Sequence, residues 1–131
     1  MTRWGRVAIF AVVAAVAGCG SAPGAVFDAT RSQAALRRAG WMATSGAGMA
    51  DTYSHVPQTA FLSLVAPNGD RLEVQFLASA GDAAKELSAA HSVAPAFHGR
   101  VIGNALVFAS PDGTTTAKDG DIAALTPLLL R

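Results

Sequence analysis

Residues 59–76, Thr59-Ala60-Phe61-Leu62-Ser63-Leu64-Val65-Ala66-Pro67-Asn68-Gly69-Asp70-Arg71-Leu72-Glu73-Val74-Gln75-Phe76, are the stretch that decides the fold. An apolar, β-prone run from Thr59 to Ala66 meets Pro-Asn-Gly-Asp, a sequence built for a tight reversal. Beyond the turn, Leu72, Val74 and Phe76 alternate with Glu73 and Gln75, the period of a strand with one buried face. The segment therefore predicts a β-hairpin. Glu73 and Gln75 are expected on a solvated face unless a further layer covers them.

Working outward, Asp28 has the position of an N-cap for a helix through Arg38 or Ala39, with Ala35, Leu36 and Ala39 as its buried stripe. Gly40 is placed to end that helix in a left-handed conformation, and Arg37-Arg38 complement the dipole of its last turn. From Trp41 to Gln58 the periodicity fails, apart from a short strand at Trp41 to Thr44, and this is the one long loop expected. After the hairpin, Asp82 is read as the cap of a second helix whose apolar positions are Ala83, Leu87, Ala90 and Ala94, ended by Pro95. Lys85, Glu86 and Ser88 are read as its solvated side. Val101 to Ala109, interrupted by Gly103-Asn104, reads as one bulged strand or a tight hairpin, with the bulged strand preferred. Asp119 or Asp121 opens a last helix that Pro127 shortens or kinks, and Leu128, Leu129 and Leu130 dock on the core. The expectation is a small single α+β domain: a mainly antiparallel sheet of three to four strands with helices packed on one face.

The front of the chain carries a different message. Arg3 and Arg6 precede eleven residues, Val7 to Ala17, without a polar side chain, and the run ends in Val16-Ala17-Gly18-Cys19 with the single cysteine of the chain. The stretch is far shorter than the roughly 20 apolar residues a spanning helix needs, so it reads as the apolar core of an export signal. Together these residues resemble the type II signal peptide of bacterial lipoproteins, in which small residues precede a cysteine that is acylated and becomes the new N-terminus. The resemblance implies a signal peptide over 1–18, a lipidated flexible tether over 19–27 and a folded domain over 28–131. It also implies lipidation at Cys19 and a cell-membrane address, lipid-anchored on the extracytoplasmic side. The globular part is similar to small lipoproteins of high-GC bacteria, a likeness that brings no activity with it.

Loss of Arg3 and Arg6 with the signal leaves eight basic against nine acidic residues and takes the formal charge from +1 to −1. That balance offers no electrostatic footprint for nucleic acid. With its thiol carried by lipid, the exported domain has no disulfide and relies on packing.

Chemistry is searched for with little return. His55, His91 and His98 lack the spacing of a zinc motif, and no metal or other cofactor is expected. Asp51, Ser54 and His55 include the residue types of an acyl-transfer triad, but there is no Gly-x-Ser-x-Gly elbow. Gly46-Ala47-Gly48 lacks the Gly-Lys-Ser/Thr of a phosphate loop. Glu73 and Glu86, on separate elements, make no recognisable glycosidase pair. The sequence thus favours a non-enzymatic binding or interaction module at the cell envelope, with Trp41, Met42, Met49, Tyr53 and His55 as its candidate interaction loop. A carrier or sensor of a small apolar ligand or lipid, using a pocket lined by Trp41, Met42, Met49 and Tyr53, is the alternative. An envelope hydrolase comes third. The expected partners are the membrane, through Cys19, and an envelope protein or a small apolar ligand.

Overall fold

The computed structural model describes residues 24–46, 52–109 and 113–131. Cys19, Met49 and Asp51 lie outside these residues. The order of elements is α1 (Ala29–Arg38), β1 (Met42–Ser45), β2 (Gln58–Val65), β3 (Arg71–Leu77), α2 (Ala80–Val93), β4 (Gly99–Ile102), β5 (Ala105–Ala109) and α3 (Asp119–Leu125), followed by a 3₁₀ turn at Thr126–Leu128. The strands form one five-stranded antiparallel sheet in the order β1-β2-β3-β5-β4. The α+β class holds, with one or two strands more than the sequence led us to expect.

Alternation along the strands divides the core in two. Leu62, Leu64, Leu72, Val74, Phe76 and Val107 fall on one face and pack with Leu36 of α1, Ile122 and Leu125 of α3, and Leu129. Phe61, Leu106 and Phe108 fall on the other and pack with Ala90 of α2 and with Phe97. The helices therefore cover both faces, not one. The apolar stripe of α2 dictates that the helix be buried, and the turn Ala78-Ser79 then carries it to the face opposite α1. Gln75 is accordingly sealed under this layer, with 0 % exposure, and its amide donates to Gln58 Oε1 at 3.0 Å.

Helix α1 is bounded as its sequence predicts. Asp28 accepts from Arg31 N at 2.8 Å, while Gly40, at φ +92°, turns the chain so that its own N–H reaches Arg37 O and Trp41 N reaches Leu36 O. These two bonds are the Schellman closure, and Trp41 packs in the same core as Leu36. Gln33 and Arg37 also donate to Ala43 O, each at 3.0 Å, which protects part of the outer edge of β1.

Helix α2 departs from the expectation at both its cap and its faces. The N-cap is Ser79, whose Oγ accepts from Asp82 N at 3.1 Å, so Asp82 is a first-turn acid and not the cap. Glu86, assigned to the solvated side, is only 1 % exposed.

Val101 to Ala109 is a tight hairpin and not a bulged strand, because Gly103 takes φ +56° and lets the chain reverse in two residues. A Cβ on Gly103 would stand 2.6 Å from Ala25 O and from the Phe27 ring. Ala25 and Phe27, placed in the tether on composition, are buried in the first core. They are held by Asn104, whose N donates to Ala25 O and whose Oδ1 accepts from Phe27 N at 2.7 Å.

Candidate functional site

The most polar constellation lies where the β2–β3 turn meets the start of α3. Ala66 and Gly69 close the turn, with Gly69 N donating to Ala66 O at 2.8 Å and Gly69 at φ +93°. Pro67 and Asn68 occupy its central positions, and Asn68 Oδ1 accepts from Asp70 N at 2.9 Å. The turn is thus rigid enough to hold the Asn68 and Asp70 side chains toward α3. From the other side, Lys118 precedes α3, and Asp119 and Asp121 stand in its first turn, where carboxylates complement the helix dipole. Ile122 and Leu125 are buried in the core, which carries the adjoining Asp121 to the edge of that core.

Here Asn68 Nδ2 donates to Asp121 Oδ1 at 3.0 Å, and Lys118 Nζ stands 3.3 Å from Asp70 Oδ1 and 3.1 Å from Oδ2. Only the Oδ1 contact has hydrogen-bond alignment, so the ammonium holds Oδ2 by charge alone. Asp121 is 6 % exposed. Burial pushes its carboxyl above the ordinary carboxylate range, and its hydrogen bond with the neighbouring Asp70 pushes the same way. Asp70 is held below that range, first by the hydrogen bond from Asp121 and then by Lys118. Of the two carboxyls, Asp121 therefore holds a proton the more readily and Asp70 the less.

Two clefts flank this bridge. The smaller, about 320 Å³, is lined by Asp70, Leu72, Ala109, Thr115, Thr116 and Lys118, among others. The larger, about 680 Å³, has apolar walls from Trp41, Ala66, Pro67, Ala124 and Leu128, with Asn68, Asp70, Lys118 and Asp121 on its polar side. The chemistry offered is a carboxylate acceptor, an ammonium donor and an amide beside an apolar wall.

Among the described residues, those nominated from sequence do not converge on one surface. Trp41 is buried in the first core, Met42 is largely exposed on the sheet face that carries α2, and Tyr53 is partly exposed in the segment before β2. Tyr53 N and Ser54 N both donate to the Glu86 carboxylate, at 3.1 and 2.9 Å, so this segment is pinned to α2. Ser54 Oγ accepts from Val56 N within the same turn, and the exposed His55 has φ +65°. His91 and His98 line a separate cavity of about 190 Å³ with Arg100 and Thr116. Among the described residues, no group of three or more His, Cys, Asp or Glu side chains is placed to hold a metal ion, and no helix is long and apolar enough to cross a membrane.

Asp70, Asp121, Lys118 and Asn68 each have a bland local reading, as turn or helix-start residues. Only the tertiary contact across more than fifty positions gives them a joint role, the Asn68–Asp121 separation being 53. Comparison of the chain with protein-family models, with curated proteins and with solved structures found no match, so its function is argued from its own residues.

Proposed function

We propose that this chain is an envelope lipoprotein, anchored through acyl chains on Cys19 at the outer side of the cytoplasmic membrane, and that its domain is a non-enzymatic binding module. The recognition surface in this reading is the Asn68–Asp70–Lys118–Asp121 bridge with its two clefts, in place of the Trp41–Gln58 region. The observation that carries it is the position of the Asp70 and Asp121 carboxyls between an apolar wall and an exposed ammonium. Lys118 is 73 % exposed at its side chain, so a ligand amine or amide N–H can take its place at Asp70 at little cost. A small amphipathic molecule, or a peptide side chain with an apolar stem and a donor head, fits this combination. The apolar wall of the larger cleft also supports the carrier reading, with the ligand's greasy part against Pro67 and Leu128.

Two measurements test it. Intact-mass analysis of the membrane fraction should find diacylglycerol on Cys19, and Cys19→Ser protein should leave that fraction; retention of the variant would overturn the anchor. Amide shifts recorded during titration with a series of short alkylamines should move at Gly69, Asp70, Lys118 and Gly120. Shifts confined to Tyr53 to Val56, or no shifts at all, would overturn the placement of the binding surface.

A further inference from the structure

The fold has a polarity along its strands that bears on how it stands on a membrane. Asn104 marks one end of the sheet: its O accepts from Leu77 N, at the far end of β3, and its N donates to Ala25 O at 3.1 Å. The turn at Pro67 to Asp70 marks the other end, since Val65 pairs with Arg71 at the near end of β3. The seven residues of β3 separate the two ends by about 20 Å at ~3.4 Å per residue.

Ala25 is six residues after Cys19. At no more than about 3.6 Å per residue, the covalent reach between them is roughly 20 Å. We propose that the Gly103–Asn104 end of the domain, with Val26 and the start of α2, lies against the bilayer surface, and that the Asp70–Asp121 clefts point away from it. This inference rests on lipidation of Cys19 as proposed above.

The Gly103–Asn104 end is suited to an interfacial position. Val26, between the buried Ala25 and Phe27, is 53 % exposed. A shallow cavity of about 490 Å³ opens beside Gly24, lined by Ala80, Val101, Ile102 and Ile122 with Arg100 among its walls. An apolar recess at this end suits the acyl-chain boundary of a bilayer, while the Arg100 guanidinium is engaged by Asp119 at 2.9 Å. Turning the domain over would require the tether to run fully extended along its flank, which costs backbone entropy at every residue so fixed.

The test uses the full-length lipidated protein in vesicles of phosphatidylglycerol and phosphatidylethanolamine carrying a paramagnetic headgroup lipid. A fluorophore is attached to a new cysteine at Val26 or Gly81 near the tether, or at Pro67 or Thr115 at the far end. All four positions are exposed, and two per end guard against a variant that fails to fold. Quenching should be several-fold stronger at Val26 and Gly81 than at Pro67 and Thr115. Equal or reversed quenching in protein whose mass shows the lipid would overturn the orientation and leave the anchor standing. Protein without lipid on Cys19 would overturn the anchor, and the orientation with it.

Discussion

The side chain of Asn104 treats the backbone of Phe27 as a neighbouring strand would, accepting from its N at 2.7 Å and donating to its O at 3.4 Å. The same amide donates to Leu77 O at 2.7 Å, so one buried residue joins the segment before α1, the end of β3 and the β4–β5 turn. Asn104→Ala leaves the Phe27 N and Leu77 O groups buried without partners. The expected loss is about 3 kcal/mol, from orphaned groups that cost ~1–3 kcal/mol each. Urea unfolding should show a lower midpoint at an unchanged slope.

Gly103→Ala should act at the same place by a different route. The new Cβ meets Ala25 O and the Phe27 ring, and the positive φ disfavours any side chain. The expected destabilisation is about 2 kcal/mol or more, since left-handed backbone alone costs an L-residue ~1–2 kcal/mol. Amide exchange at Phe27 should speed up before exchange in β2 and β3 does.

Glu86 governs the segment ahead of β2. Glu86→Ala removes the acceptor of both Tyr53 N and Ser54 N, whereas Glu86→Gln keeps one acceptor oxygen. Hydrogen-exchange protection of these two amides should fall strongly in the first variant and about half as much in the second. Global stability should drop by about 2 kcal/mol in the alanine variant, the scale of a buried charge-assisted bond.

Stability should depend on pH at both flanks of the Asp70–Asp121 pair. The raised pKa of Asp121 means that its contribution is whole below the unfolded value, about 3.9, and is lost as pH rises through the folded one. The lowered pKa of Asp70 means the reverse: its contribution is present above the unfolded value and is lost as pH falls through the folded one. Urea midpoints measured across the acidic range should therefore fall on both sides. Asp121→Asn should abolish the decline on the higher-pH side, and Asp70→Asn the decline on the acid side.

Much of the fold was legible because its signals are local. Asp28 and Gly40 bracket α1 by capping chemistry alone, and Pro67-Asn68-Gly69-Asp70 between two apolar runs leaves little choice but a hairpin. The face on which α2 packs was not legible, since the Ala83, Leu87 and Ala90 stripe states that a side is buried without stating against what. Gln75 and Glu86 misled for a common reason: a polar side chain is ordinarily solvated, and here each is buried against a partner distant in sequence, Gln58 accepting from the Gln75 amide nitrogen and the Tyr53 and Ser54 amides donating to Glu86. The carboxyl pair was hidden in the same way. Asp70 reads as a turn residue and Asp121 as a helix-start residue, and their shifts come from the burial of Asp121, from their meeting and from Lys118, all of them tertiary.

Helix α1 is completed by residues near position 130: Asp28 N donates to Leu130 O at 2.6 Å, Leu130 N donates to Ser32 Oγ at 2.9 Å, and Arg31 Nη1 donates to Arg131 O at 2.6 Å. The first of the described elements thus waits for contacts some hundred residues downstream. Such long-range closure comes late in folding, because the loop entropy must be surrendered before the contact returns anything. Until residues 130 and 131 are in place, α1 has its own caps but none of these three ties.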